Sequence, residues 1–156
     1  MMVDFSDLLR PEAVSTGLAV VSRKALIVQL GNLAAPLVGA EPRAIADALA
    51  ERERMGSTGF GGGVAIPHAR LPDLSAPVGL FVRLANPIEF EAVDDLPVDL
   101  VFALFSPQPG GADHLKALAR VSRRLRDRAF LAKLRGAGSR DALYALFTAD
   151  DERHAA

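Results

Sequence analysis

The chain has 156 residues, half of them apolar, no cysteine, and 18 basic against 19 acidic side chains for a net charge of −1. That length suits one domain with a proper core; the missing thiols exclude disulfides, thiolate catalysis and cysteine-ligated zinc; and the balanced charge gives no global field drawing the chain to nucleic acid. No basic and apolar leader opens the sequence and no apolar run approaches the ~20 residues of a membrane helix, so the expectation is a cytoplasmic domain with no direct membrane insertion.

In chain order, residues 1–10 and 149–156 read as loose ends. Ser22 is placed to cap a helix with Leu26, Leu30 and Leu33 at helical spacing, which Pro36 is expected to stop. A second helix is expected from Pro42, whose missing N–H costs nothing in a first turn, to about Met55. Residues 63–66, GVAI, read as a short strand, and PVGLFVRLANP as a longer one with Val78, Leu80, Val82 and Leu84 on one side. PVDLVFALFSP is apolar on both faces and reads as a central, covered strand. Beyond it, Asp113 is expected to cap a helix with a stripe of Leu115, Leu118, Ser122 and Leu125. Asp127 should cap a short helix ending at Gly136, and Ser139 a last one that buries Leu143, Leu146 and Phe147. Helices, then strands, then helices predict an α/β or α+β sandwich of three layers; strand order and polarity stay open.

The stretch GFGGGVAIPHAR carries the first candidate for chemistry. Glycine admits positive φ and close backbone approach, while Pro67 fixes its own φ and pushes Ile66 toward an extended form. The apolar run is expected to lead His68 out of the sheet and present its ring at the surface beside an open glycine loop. Read alone, a histidine at a strand end is as readily a half-exposed polar residue, and the run lacks the lysine and hydroxyl of a P-loop and the spacing of a dinucleotide fingerprint. Arg52 sharpens the picture: it lies seven residues after Ile45 and three after Leu49, near the buried face of the second helix. An inward guanidinium needs an anion or a set of acceptors, unless an internal carboxylate pairs it or its stem snorkels out. His114, expected in the first turn of a helix, sits where free N–H groups disfavour imidazolium and favour an anion, though a solvent-facing ring is the plain alternative. His154 is expected to be an inert tail residue. Two histidines and an inward arginine suggest an anion site with one ring as nucleophile. They are too few for zinc, and no HxH or HExxH spacing occurs.

ERERMGSTGFGGGVAIPHARLPD, PVGLFVRLANPIEFEAVDDLPVDLVFALFSP and DHLKALARVSRRL together resemble the EIIA domain of the bacterial phosphotransferase system. The similarity is to its fructose/mannitol branch and most of all to the stand-alone nitrogen-regulatory type. It covers nearly the whole chain as one domain, residues 1–156 with a core of about 5–148, and the block GSTGxGxGxAIPH is long and ordered. Ala69 stands where the family often has a glycine. The resemblance implies a mixed β-sheet sandwiched between helices, the phosphorylated histidine at His68, a second active-site histidine at His114 and the active-site arginine at Arg52, with Ser57 and Thr58 as further hydrogen-bond donors to phosphate. It implies a phosphoryl relay from an HPr-like carrier, with no metal or organic cofactor. The missing cysteine and missing membrane span favour a regulatory role, in which phosphorylation changes the binding of a regulated partner; passage of the phosphoryl group to a separate EIIB subunit is the alternative. Two other classes remain: a protein-binding or nucleic-acid module using the basic run from Arg120 to Arg140, which lacks aromatic stacking residues, and an inert interaction protein, against which the intact Arg52, His68 and His114 argue.

Overall fold

The computed structural model describes residues 5–108 and 111–149. A 3-10 turn, Pro11–Ala13, leads into β1 (Val14–Leu18); then follow α1 (Arg23–Val38), α2 (Pro42–Arg54), β2 (Gly59–Gly61), β3 (Val64–Ala65), β4 (His68–Leu71), β5 (Val78–Ile88), β6 (Val98–Pro107), α3 (Gly111–Leu125), α4 (Arg128–Gly136) and α5 (Arg140–Thr148). The strands form one open mixed sheet in the order β1-β5-β6-β3-β2. β5 runs antiparallel to β6, with Phe81 opposite Phe102. The far side of β6 is shared end to end by β3 and β4, both parallel to it: Val64 pairs with Leu100, and His68 with Leu104. β6 is therefore the central strand, as its two-faced apolar pattern predicts, and Val98 and Leu100 to Ser106 are all buried.

Both sheet faces are covered, which gives the expected three-layer α/β sandwich. On one, Phe81 and Phe102 meet Phe147 of α5 at ring distances of 4.8 and 5.7 Å, and Phe130 of α4 packs edge-on to Phe147. α1 and α2 pack on each other and against β5 and β4, with Leu26, Leu30, Ile45 and Leu49 wholly buried. The helices approach closely at Gly31, where an added Cβ would lie 2.4 Å from the Pro42 carbonyl oxygen.

Caps form where the side chains predict them: Ser22 accepts from the Ala25 N–H, Asp127 from Ala129 and Phe130, and Ser139 from Ala142. Several expectations need correction. Pro36 does not stop α1, which runs to Val38 and ends at Gly39 in the left-handed region, with the Gly39 N–H bonded to the Ala35 carbonyl. A proline in the final turn deletes one hydrogen bond, and the αL glycine is the stronger terminator. Asp113 is not a cap but lies inside the first turn of α3, and the buried face of that helix is His114, Ala117, Val121 and Leu125; Leu115 is 62% exposed. The leucines misled because the face against the sheet is made of smaller residues and a histidine. Leu146 is only partly buried beside Leu143 and Phe147. The first ten residues are not all loose: Phe5, Leu8 and Leu9 are buried, and the Leu8 carbonyl accepts from the Gly79 N–H. Residues 150–156, including His154, lie outside the described residues.

Candidate functional site

His68 opens β4 instead of leaving the sheet. Pro67 has no N–H to give, but its carbonyl accepts from the Leu104 N–H at 2.9 Å, so the chain rejoins β6 immediately after the proline. His68 is thus fixed at the sheet edge, half-buried. Upstream, Gly61, Gly62 and Gly63 all have positive φ, at 113°, 70° and 81°, and make the turn between β2 and β3 that only glycine enters freely. The loop is tied down, not open: the Gly62 N–H donates to Asp94, and its carbonyl accepts from Arg135. The glycines place β3 on β6 and thereby aim His68.

Arg52 occupies the last turn of α2. Its Nε–H donates to Nε2 of His68 at 3.1 Å, and Nη1 donates to the Gly56 carbonyl at 2.9 Å. Nδ1 of His68 lies 2.8 Å from the Ile66 carbonyl oxygen. A carbonyl only accepts, so Nδ1 carries the hydrogen and Nε2 the lone pair, in agreement with Arg52 donating to Nε2. His114 brings a second ring to 5.5 Å between centroids, tilted by 44°, and its Nδ1 lies 2.6 Å from the hydroxyl of buried Ser106. Burial is the main reason that the pKa of His68 falls below the ordinary imidazole value of 6.5; the Ile66 carbonyl opposes the shift and the Arg52 charge adds to it. The pKa of His114 is also lowered, by burial, then by His68 and by Arg70. Both rings are therefore held toward the neutral form, and one of them exposes an unprotonated nitrogen directly beside a guanidinium.

The structure brings Arg52, His68 and His114 together. It does not bring the hydroxyls of Ser57 and Thr58 to them: Ser57 donates to the Phe90 carbonyl at 2.9 Å, and Thr58 donates to Glu53. Glu53, buried in α2, also accepts the Thr58 N–H at 3.1 Å, so the loop after α2 hangs on this carboxylate. Three residues were missed by sequence reasoning. Glu53 was hidden among the charges of a helix end. Arg70 stands two residues after His68 on the same face of β4, a relation visible only once β4 is known to be a strand. Ser106 faces Arg70 across the ladder, a partner that the sequence of a covered strand does not reveal. Among the described residues no group of three or more His, Asp and Glu side chains could hold a metal, and no helix is long and apolar enough to cross a membrane.

Comparison with known proteins gives a consistent pattern. The family profile described as "Phosphoenolpyruvate-dependent sugar phosphotransferase system, EIIA 2" matches residues 7–150. The chain is 48% identical over 141 residues to a nitrogen regulatory protein of Bradyrhizobium diazoefficiens, covering 90% of this chain and 92% of that one. It is 39% identical over 147 residues to the nitrogen regulatory protein of Escherichia coli, covering 94% and 90%. The nitrogen regulatory protein IIA-Ntr of Neisseria meningitidis superposes with a TM-score of 0.87 at 29% identity, covering 92% of this chain and 99% of that one.

Proposed function

Because this chain belongs to the EIIA 2 family of the phosphoenolpyruvate-dependent sugar phosphotransferase system, we propose that it is a regulatory phosphocarrier that takes a phosphoryl group onto Nε2 of His68. The observation that carries the reading is the hydrogen-bond pair on that ring: Ile66 holds the hydrogen on Nδ1, which leaves the Nε2 lone pair facing Arg52. An HPr-like carrier is the donor that this chemistry fits. The phosphorus–nitrogen bond on the donor breaks, its electron pair returns to the donor imidazole, and a new bond forms from Nε2 of His68 to phosphorus. Charge balances without moving a proton, since the Nδ1–H stays on the ring and the Ile66 carbonyl accepts from it as the ring turns cationic.

Protein groups that stabilise such a transfer must meet charge spread over three phosphoryl oxygens. Arg52 must release Nε2 as the phosphorus arrives, and its planar fork then lies beside the incoming oxygens. His114 supplies a further N–H at short range. The nitrogen-regulatory relatives favour an output through phosphorylation-dependent binding of another protein over delivery to an EIIB subunit. The basic run from Arg120 to Arg140 is largely engaged within the chain: Arg120 pairs with Asp7 at 3.0 Å, Arg135 with Asp99 at 2.8 Å, and Arg124 stacks 3.8 Å over Phe130. These contacts leave less of it to meet a polyanion. The test is incubation with phosphoenolpyruvate, the first enzyme of the relay and an HPr-type carrier. The chain should acquire one acid-labile, base-stable phosphoryl group that His68→Ala abolishes; a label that survives His68→Ala contradicts the assignment.

A further inference from the structure

Ser106 lies near the end of β6, fully buried, and among the described residues its hydroxyl has a single hydrogen-bond partner, Nδ1 of His114 at 2.6 Å. Two arrangements fit that distance. If Nδ1 carried the ring hydrogen, it would donate to the serine oxygen, and the hydroxyl hydrogen would be left in the interior without an acceptor, which buried hydroxyls avoid. If the hydroxyl donates instead, both groups are satisfied, and the hydrogen of the neutral ring must sit on Nε2. Burial, and then the neighbouring His68 and Arg70, lower the pKa of that ring and so favour its neutral form. His114 is only 5% exposed, and no described residue accepts from its Nε2–H. An unpartnered buried donor beside His68 is a place prepared for an anion.

We infer that Ser106 is a positioning residue whose hydroxyl holds His114 in the Nε2–H tautomer, opposite to that of His68, so that the two rings present one lone pair and one N–H donor to the same phosphoryl group. The selection of opposite tautomers rests on two different acceptor–donor relations: a carbonyl that can only accept, at His68, and a hydroxyl with no other acceptor among the described residues, at His114. The role in transfer rests on the phosphocarrier reading above; the tautomer assignment does not.

Long-range proton–nitrogen NMR of the imidazoles at pH 8, without any phosphoryl donor, reads the assignment directly. The wild-type chain should show His68 protonated on Nδ1 and His114 protonated on Nε2. Ser106→Ala should turn His114 into a mixture of tautomers and leave His68 unchanged, while Ser106→Thr, which keeps the hydroxyl, should restore the single form. Labelling by a phosphorylated HPr-type carrier should slow about tenfold in Ser106→Ala. His114 protonated on Nδ1 in the wild type, or a His114 tautomer indifferent to Ser106→Ala, overturns the inference. Both tautomers as stated in a wild-type chain that takes no label would support the assignment and contradict the phosphocarrier reading.

Discussion

Arg52 and His68 form the smallest unit on which the proposed phosphoryl transfer depends. In the structure the guanidinium donates to Nε2 of His68, the nitrogen proposed to attack; under that proposal the bond orients the lone pair and blocks it until an anion competes for the arginine. Replacing Arg52 with alanine should slow labelling by roughly 10²-fold, the scale of losing one donor to a charged transition state; Arg52→Lys should recover only part, since an ammonium lacks the planar fork. His114→Ala should leave slow labelling. Both histidines also couple stability to pH. Their folded pKa values lie below the ordinary 6.5, so the unfolded chain binds these protons more readily. Their contribution is whole above that value and is lost as pH falls through it toward the depressed folded values. Urea unfolding should therefore show a fall in stability between pH 7.5 and 5.5, shallower in a His68→Gln/His114→Gln double variant; equal slopes in the two proteins would contradict the shifts. Arg52, His68 and His114, which the structure brings together, were each singled out in the sequence: Arg52 from helical spacing to Ile45 and Leu49, His68 from the rigid approach of Ile66–Pro67, although it opens β4 instead of leaving the sheet, and His114 from its first-turn place. Ser57 and Thr58 came only from the family resemblance, as donors to phosphate; their anchoring of the loop to Phe90 and Glu53 was not legible, because hydroxyl partners are set by tertiary contacts.

Elements aim these residues through glycine geometry and caps. Gly63 has φ of 81°, and a Cβ there would lie 2.5 Å from Nη2 of Arg135 and 2.9 Å from Asp99. Gly63→Ala should therefore strain the β2–β3 turn and break the Arg135–Asp99 pair, lowering thermal stability and slowing labelling together, although the residue touches neither ring. Gly31→Ala meets the Pro42 carbonyl across the α1–α2 contact and should cost about 1–3 kcal/mol as overpacking, measured by urea unfolding. The N-cap Asp127→Ala should cost about 1 kcal/mol. Caps and long strands could be read because they are local: Ser22, Asp127 and Ser139 bond to residues two or three positions away. The failures were of another kind. β1 and β4 are too short to show a period and exist because β5 and β6 offer them edges. The buried face of α3 is set by how closely Ala117 and His114 approach the sheet, not by where its leucines fall.

For the whole molecule, the order of helices and strands was enough for a three-layer sandwich, while the mixed polarity and the splitting of one β6 edge between β3 and β4 needed the structure. That split is what places a histidine at the sheet edge within reach of both α2 and α3, so that His68 meets Arg52 and His114. The proposed transfer requires that one defined nitrogen take the phosphoryl group. Phosphorylation of nitrogen-15-labelled chain through an HPr-type carrier, followed by phosphorus–nitrogen NMR, measures it most directly. The phosphoryl group should be bonded to Nε2 of His68 with Nδ1 still protonated; a phosphorus bonded to Nδ1, or to any nitrogen of His114, would contradict the account.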